Sequence, residues 1–371
     1  MKKGWQRKQI GDLCEVIAGQ SPEGKFYNAD GKGMPFYQGK KDFGEKFIEA
    51  PTTWTTQTTK VAKEGDILMS VRAPVGPVNF ATDEVCIGRG LTAIRSKAEL
   101  NRDFLFYQLW HLQPEIAGRE GAVFASINKA EIEALPLAFA PLPEQQRIVG
   151  ILDEAFKGIA NAKANAEKNR QNARALFESH LQSVFTQRGE GWGEKTLESC
   201  CEQIFAGGDV PKDRLSQERT PKYSIPIFSN GEKDDGLYGF TDVARVTKPS
   251  ITVSARGTLG FTAIRTEPFL PVIRLIVLVP DEKLIMLSFL YYAVVGMDFG
   301  NTGTSIPQLT VPNFKESKLH VPSLWEQKAI VAKLDDLREE TQRLESIYQQ
   351  KLTALEALKK SLLDQAFRGE L

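Results

Sequence analysis

The sequence predicts an α+β protein with an internal pseudo-twofold repeat, in which two mixed, β-rich domains are separated by two long helices that form an antiparallel coiled coil. Two observations predict this fold. Residues 143–185 match residues 325–367 without a gap when they are shifted by 182 positions. Each of these segments follows a longer stretch in which short apolar runs alternate with turn-forming residues, the pattern of a β-rich domain.

The gap-free match predicts two long helices of equal length. The aligned identities are Glu144 with Glu326, Gln145 with Gln327, Ile148 with Ile330, Leu152 with Leu334, Asp153 with Asp335 and Phe185 with Phe367. A helix of about 43 residues spans ~64 Å at ~1.5 Å per residue. Because this length exceeds that of an ordinary globular helix, we expect a coiled coil or a helical spacer.

The repeat continues into the stretches that precede the helices. Trp5 and Trp192 open the two copies, and apolar residues follow each tryptophan at the same spacings. A Ser-x-Arg-small-x-x-Gly motif occupies residues 70–76 in the first copy and 254–260 in the second. These matches predict a domain over 1–142, a helix over 143–188, a second domain over 189–322 and a second helix over 323–371.

Apolar runs predict the elements of each domain. One predicted strand ends at the Ser-x-Arg motif in each copy, in the runs GDILMS and PSITVS. Residues 91–94 and 275–279 predict further buried strands. The runs DFLFYQLWHL and LSFLYYAVV are apolar enough to be helices packed on these sheets.

Polar residues predict where helices begin. Ser126 and Ser305 are candidate N-caps near the ends of the two domains. Ser323 and Glu326 have the spacing of a capping box and predict the start of the second long helix. Pro143 suits the first helical position of the other long helix.

A seven-residue pattern predicts that the long helices pair with each other. The first helix has mostly small seam residues: Leu152, Ala155, Ile159, Ala162, Ala166, Asn169, Ala173, Leu176, His180 and Ser183. The second has larger ones, among them Leu334, Leu337, Leu344, Tyr348, Leu355, Leu358 and Leu362. Small residues against large ones favour this pair over a self-pair. Since each helix follows its own domain, pairing within one chain should be antiparallel.

Composition places the chain among ordinary globular proteins of two or three domains, with 42% hydrophobic and 25% charged residues in 371. It has no apolar run long enough to span a membrane, and its four cysteines form no CxxC pair. We expect no secretory signal, because no apolar core follows the charged residues at the N-terminus. We therefore expect a reduced, cytoplasmic location.

A net charge of zero is unusual for a nucleic-acid-binding protein. Any DNA contact must come from local clusters of side chains or with help from a partner.

The sequence contains no motif for catalysis or for a cofactor. It has no phosphate-binding loop, HExxH or GxSxG motif, and no Asn/Asp-Pro-Pro-aromatic loop of the kind that adenine methyltransferases use. The three histidines are dispersed without metal-ligand spacing, so we expect structural or solvated roles for them. A duplicated plan without catalytic motifs favours a binding and scaffolding protein, and we assign it no catalytic or metal-binding residue.

Two equivalent domains held at a fixed separation suit an elongated target such as DNA, whose base edges are exposed in the major groove. Arginine, asparagine and glutamine can read base edges, whereas lysine, serine and threonine often contact phosphate. Each single candidate is more commonly a turn former or a solvated charge. Arg72 and Arg256 recur in register, which suits either a DNA contact or a structural role in bracing the shared loop. The candidates for DNA binding are Gln38, Lys40, Lys41, Ser70, Arg72, Arg89 and Asn128 in the first domain, and Asn230, Lys233, Ser254, Arg256, Thr258, Asn301, Thr302 and Thr304 in the second.

Both long segments contain the motif Glu-Gln-Gln/Lys-x-Ile-Val after a tryptophan-led, β-rich domain. With GDILMSVRAPVGPVN and CIGRGLTAIR in the first domain, the whole chain resembles the specificity (S) subunit of a Type I restriction–modification system. The resemblance implies two target-recognition domains, each reading half of a bipartite, asymmetric DNA sequence. It also implies that the helices set the spacer between the halves and dock two methyltransferase (M) subunits.

The resemblance assigns all catalysis to partners. The M subunits would bind S-adenosylmethionine and methylate adenine N6, and restriction/translocase (R) subunits would use ATP and Mg²⁺. Two alternatives remain open from the residues alone. One is a helical adaptor that joins proteins without contacting DNA, and the other is a stand-alone nuclease with duplicated domains, which would need a carboxylate cluster for Mg²⁺.

Overall fold

The computed structural model describes residues 4–117, 126–187, 189, 191–297 and 309–371. The chain folds into two compact units. The first unit comprises Met1–Ala166 together with Gln350–Leu371, and the second comprises Glu167–Gln349. Each unit therefore contains one β-rich domain and a part of both long helices.

Among its described residues the first unit contains eleven strands, three complete α-helices and the first part of a fourth, and it also holds the end of the last helix of the chain. The strands are β1 (Gln6–Gln9), β2 (Cys14–Ala18), β3 (Tyr27–Asn28), β4 (Met34–Tyr37), β5 (Trp54–Thr55), β6 (Val61–Ala62), β7 (Ile67–Ser70), β8 (Val78–Phe80), β9 (Val85–Ile87), β10 (Leu91–Ser96) and β11 (Pro136–Phe139). The helices are α1 (Ile10–Leu13), α2 (Arg102–Ile116), α3 (Lys129–Glu133) and α4 (Leu142–Thr186).

Among its described residues the second unit contains nine strands, three complete α-helices and the first part of a fourth, and it also holds the end of α4. The strands are β12 (Gly193–Thr196), β13 (Cys201–Ala206), β14 (Ile225–Phe228), β15 (Leu237–Thr241), β16 (Ser250–Val253), β17 (Thr262–Arg265), β18 (Leu270–Pro271), β19 (Ile276–Pro280) and β20 (Lys318–Val321). The helices are α5 (Leu197–Cys200), α6 (Leu287–Val295), α7 (Val311–Lys315) and α8 (Leu324–Arg368).

The two domains share the topology of their four-stranded sheets. Antiparallel four-stranded sheets have the order β2-β10-β7-β8 in the first domain and β13-β19-β16-β17 in the second. Each domain also pairs its first strand with its last, as β1-β11 and β12-β20. A mixed sheet completes each domain, with the parallel pair β4-β9 in the first and β14-β18 in the second. The predicted strands β7, β10, β16 and β19 and the predicted helices α2 and α6 are confirmed.

One predicted helix start is wrong. The N-cap of α3 is Asn128 rather than Ser126, because Asn128 Oδ1 accepts a hydrogen bond from Glu131 N at 3.0 Å. Glu131 Oε2 in turn accepts from Asn128 N at 2.7 Å, which completes a capping box. Ser305 lies outside the described residues.

The long helices begin close to their predicted starts. Ser323 N donates to Glu326 Oε2 at 3.1 Å and Glu326 N donates to Ser323 Oγ at 3.4 Å, so the predicted capping box at the start of α8 is confirmed. Helix α4 begins at Leu142, one residue before Pro143, so the proline occupies the second helical position.

Within the first unit, the start of α4 packs antiparallel against the end of α8. Ile148 and Leu152 share a buried cluster with Leu363 and Ala366. Lys163 forms an ion pair with Glu356 across the two helices. The two helices therefore bury their facing apolar side chains against each other and against the first β-rich domain.

Within the second unit, the end of α4 packs antiparallel against the start of α8. Leu181 shares a buried cluster with Val331 and Leu334. Arg174 Nη2 lies 3.1 Å from Glu345 Oε2. Positions 163 and 345 are related by the 182-residue repeat, as are 174 and 356, so the two ion pairs occupy equivalent places. Helix α4 supplies the cation in both pairs and α8 supplies the carboxylate.

The predicted seam is correct over part of each helix only. In α4, Leu152, Ile159, Ala166 and Ala173 are buried at seven-residue spacing. Beyond them the prediction is wrong, because Leu176 is 54% exposed and Leu181 is buried instead. The far end of α8 shifts likewise: Leu358 is 46% exposed, whereas Leu363 and Ala366 are buried. In a regular α-helix, positions seven residues apart rotate by ~20° per heptad away from the contact line. Over about five heptads this rotation approaches the ~100° between successive residues, so the buried position moves to a neighbouring residue.

Candidate nucleic-acid interface

Aromatic contacts attach each β-rich domain to one of the long helices. In the first unit, the Phe104 ring of α2 lies 6.2 Å from Trp5 and 5.3 Å from Phe367 of α8. In the second unit, Phe289 of α6 lies 6.3 Å from Trp192 and 5.4 Å from Phe185 of α4. The tryptophan that opens each copy is therefore part of the joint between domain and helix.

In the first domain, the turn between β9 and β10 connects two loops. On one side Gly88 N donates to Tyr37 O at 2.8 Å, at the end of β4. On the other side Val71 N donates to Gly90 O at 3.0 Å, just after β7. The loops that follow β4 and β7 therefore lie on either side of this turn.

Three predicted DNA-binding side chains are exposed on these segments: Gln38, Arg72 and Arg89. Ser21 links two of them, because its Oγ accepts from Arg89 N at 3.1 Å and from Gln38 Nε2 at 3.4 Å. Arginine suits the acceptor edge of guanine and glutamine suits adenine. The structure brings these three residues into one group that sequence spacing had not connected.

Lysines continue the loop after Gln38. Lys40 and Lys41 are exposed in a 3₁₀ turn, Lys40–Asp42. Burial raises the pKa of the Asp42 carboxyl, although Lys41 Nζ lies 3.8 Å from Asp42 Oδ1 and opposes the shift. The two exposed ammonium groups supply charge of the kind that contacts phosphate.

In the second domain, Asn230 joins three segments. Its Nδ2 donates to Ile273 O at 2.5 Å and its Oδ1 accepts from Ala255 N at 2.8 Å. The following residue, Gly231, donates its N–H to Ser254 Oγ at 3.1 Å. Asn230 and Ser254, both predicted to contact DNA, therefore connect the loops after β14 and β16 with the turn between β18 and β19.

Arg265 fixes the loop after β14 from within. Its guanidinium carbon lies 3.6 Å from the centroid of the Phe228 ring, and its Nη2 donates to Asp235 O at 2.5 Å. Burial lowers the pKa of Arg265 to about 10, so it stays charged at neutral pH. The predicted residue Lys233 is exposed on the loop that Arg265 holds.

The fifteen predicted DNA-binding residues differ in their exposure, and Asn230 is half-buried. Those on the surface are Gln38, Lys40, Lys41, Arg72, Arg89, Asn128, Lys233, Arg256 and Thr258. Of these, Asn128 is engaged as the N-cap of α3. Ser70 and Ser254 are buried, and Ser70 Oγ donates to Arg72 O at 3.2 Å. Asn301, Thr302 and Thr304 lie outside the described residues.

Two features of this surface were not predicted from the sequence. The role of Ser21 could not be predicted, because a single serine outside any motif does not indicate a function. The turn at Ile273 and Arg274 was also missed, because PVIRL shares only its leucine with IGRGL, the corresponding run of the first domain. Both depend on hydrogen bonds between segments that are distant in sequence.

Among the described residues, no group of three His, Cys, Asp or Glu side chains is arranged to hold a metal ion. Burial raises the pKa of the Cys14 and Cys201 thiols to about 12, so neither is a thiolate at neutral pH. Burial also lowers the pKa of His111. No helix in the described part of the chain is long and apolar enough to cross a membrane.

Comparison with known proteins gives a family match in both halves of the chain. The model of the Type I restriction modification DNA specificity domain matches residues 2–169 and again residues 189–354. A Mycoplasma pneumoniae protein whose name describes a type I specificity subunit is 31% identical over 341 residues, covering 89% of this chain and 88% of its own length.

Solved structures share the fold. A chain from a study of complex assembly and conformational transition in a type I R-M system aligns over 100% of this chain and 99% of its own, with a TM-score of 0.85 and 19% identity. The HsdS subunit of Thermoanaerobacter tengcongensis aligns over 100% of this chain and 98% of its own, with a TM-score of 0.65 and 19% identity.

Proposed function

The chain belongs to the Type I restriction modification DNA specificity family, and from this membership we propose that each of its two domains reads one half of a bipartite, asymmetric DNA target. Its function is sequence-specific DNA recognition. The observation that carries the proposal is the duplication: each domain has its own group of polar loop residues, built on the same strands. The neutral chain then contacts DNA through these groups rather than through a general positive charge.

The exposed loop residues would make the contacts with DNA, and the buried ones would hold the loops. Gln38, Arg72 and Arg89 are placed to read base edges in the first half, with Lys40 and Lys41 on phosphates. Lys233, Arg256 and Thr258 would serve the second half, and we keep Asn301, Thr302 and Thr304 as candidates there. Ser70, Asn128, Asn230 and Ser254 would act through the backbone groups that they bind.

The long helices would set the number of unread base pairs between the halves and dock two methyltransferase subunits. Two helices of 45 residues each, paired antiparallel within both units, support this role. The partners would supply S-adenosylmethionine chemistry on adenine, and restriction/translocase subunits would use ATP and Mg²⁺. Family membership favours this function over an adaptor that does not contact DNA and over a stand-alone nuclease.

An exchange of one domain tests the proposal. Residues 1–142 are replaced by the corresponding domain of a relative with another target, and the methylome of a host carrying the chain and its methyltransferase partner is sequenced. We expect one half of the methylated motif to change and the other half to stay the same. A change in both halves, or in neither, would contradict the assignment of one half-site to each domain.

A further inference from the structure

The turn between β18 and β19 of the second domain carries two exposed side chains on a strained backbone. Ile273 has a φ of 52° and Arg274 a φ of 59°, both in the left-handed region. Leu275 N donates to Val272 O at 3.1 Å and closes the turn. Val272 and Leu275 are buried, whereas Ile273 is 45% exposed and Arg274 also faces solvent.

Two successive positive φ angles are typical of a turn that prefers Asn and Gly. A β-branched residue in this region is a true outlier, and such strain is concentrated at functional sites. The chain thus has an isoleucine and an arginine at two positions whose backbone conformation favours Asn or Gly.

Contacts on both sides hold the turn in place. Ile273 N donates to Gly208 O at 2.8 Å, and Ile273 O accepts from Asn230 Nδ2 at 2.5 Å. Because Asn230 Oδ1 also binds Ala255 N, the same asparagine keeps the turn beside the loop that carries Arg256. The two exposed side chains therefore project from a preorganised backbone, as specific recognition requires.

The turn between β9 and β10 is the equivalent of this turn in the first domain, and its backbone explains why the residues at the two positions differ between the domains. Val272 N donates to Phe228 O at 2.9 Å, just as Gly88 N donates to Tyr37 O in the first domain. Arg89 therefore corresponds to Ile273, and Gly90 corresponds to Arg274. At Gly90 a Cβ atom would lie 2.1 Å from Gln38 O, so the first domain has no room for a side chain there. The second domain has an arginine at that position.

We propose that Arg274 is a specificity-determining residue that donates to the O6 and N7 atoms of a guanine in the second half of the target, with Ile273 packed against the adjacent base. This inference rests on the proposed function. Arginine fits that pair of acceptors in a bidentate way, and an apolar side chain suits a thymine methyl group. Asn230 is a positioning residue that acts through Ile273 O.

Two substitutions separate a base contact from a phosphate contact. In the full chain, assembled with its methyltransferase partner in a host free of other adenine methylation, Arg274→Ala and Arg274→Lys are compared with Arg219→Ala. Arg219 is an exposed arginine of the same domain, paired with Glu267 at 3.6 Å. Lysine retains the charge that a phosphate needs but not the bidentate geometry that guanine needs.

We expect both Arg274 variants to relax one position of the second half-site by roughly tenfold or more, the discrimination of one bidentate contact. The first half and the Arg219→Ala motif should be unchanged. Asn230→Asp, which keeps the acceptor for Ala255 N but loses the donor to Ile273 O, should relax the same position less than Arg274→Ala. An unchanged motif in both Arg274 variants overturns the proposal, as does a uniform loss of methylation that Lys restores, because that identifies a phosphate contact.

Exchange of the whole segment 189–322 distinguishes the two levels of inference. If the exchange changes the second half-site but the Arg274 variants do not, the role of the turn is wrong and the proposed function stands. If the exchange leaves the second half-site unchanged, the proposed function itself fails.

Discussion

Gln327 makes in the second unit the same set of hydrogen bonds that Gln145 makes in the first. The Oε1 atom of Gln145 accepts from Asn101 N at 2.7 Å, and that of Gln327 accepts from Met286 N at 2.8 Å. Each Nε2 donates to two carbonyl oxygens of its own domain. Both side chains have 0% exposure. The glutamine of the repeated Glu-Gln motif therefore joins the start of each long helix to the N-cap residue of the domain helix, α2 or α6.

Replacing Gln327 should destabilise the second unit. Gln327→Ala removes the side-chain partner of Met286 N and of two carbonyl oxygens, and a buried group left unsatisfied costs ~1–3 kcal/mol. We expect a loss of about 3 kcal/mol in the free energy of unfolding, measured by denaturant titration. Gln342→Ala, at an exposed glutamine of the same helix, is the matched control and should change stability by less than about 0.5 kcal/mol. Equal effects of the two changes would contradict the role of Gln327.

The sequence predicted the architecture better than the roles of single polar residues. The repeat, the long helices and the main strands could be predicted, because periodicity and spacing are local properties. The function of Gln145 could not, since its partners are backbone groups of Glu99, Asn101 and Ala140 that only tertiary folding brings near. Ser70 was predicted to face DNA because it ends a strand, but its side chain is buried in the turn that follows. Arg274 was missed because its equivalence to Gly90 appears only in the hydrogen bonding of the two turns.

The ion pair between Lys163 and Glu356 should contribute weakly but measurably to helix pairing. The two side chains are 38% and 51% exposed, so we expect a coupling energy of ~0.2–1 kcal/mol from a double-mutant cycle with alanine. High salt should reduce it. Lys163→Glu alone places two carboxylates together and should lower the unfolding midpoint, and adding Glu356→Lys should restore it.

Arg343 provides a comparison for this cycle. It pairs with Glu340 at 2.6 Å within one turn of α8 and does not cross to α4. Arg343→Glu should therefore show no rescue by Glu356→Lys. Rescue of both charge reversals to the same extent would show that only net charge matters.

Alkaline pH should weaken the second unit through Tyr292. Its hydroxyl donates to Asp335 Oδ1 at 2.5 Å, and burial, followed by the bond to Asp335, raises its pKa from 10.0 to about 12. A raised pKa stabilises the folded state fully below pH 10, and this contribution is lost as the pH rises from 10 to 12. The difference in unfolding free energy between wild type and Tyr292→Phe should therefore shrink over this range. Because Cys14, Cys201 and Tyr37 remain in both proteins, their titration cancels in the difference.

Lengthening both long helices tests whether they set the spacing of the DNA target. Seven residues inserted after Glu167 in α4 and after Gln349 in α8 keep the helical phase within ~20° and add ~10.5 Å. At ~3.4 Å per base pair, the unread gap should grow by about three base pairs while both half-sites keep their bases. Methylome sequencing of a host with the lengthened chain and its methyltransferase partner measures the gap. Insertion into α4 alone breaks the pairing in register and should abolish methylation, so that variant is the control. A lengthened chain that still methylates the original spacing would show that the gap is set by the domains or their partners, and not by the helices.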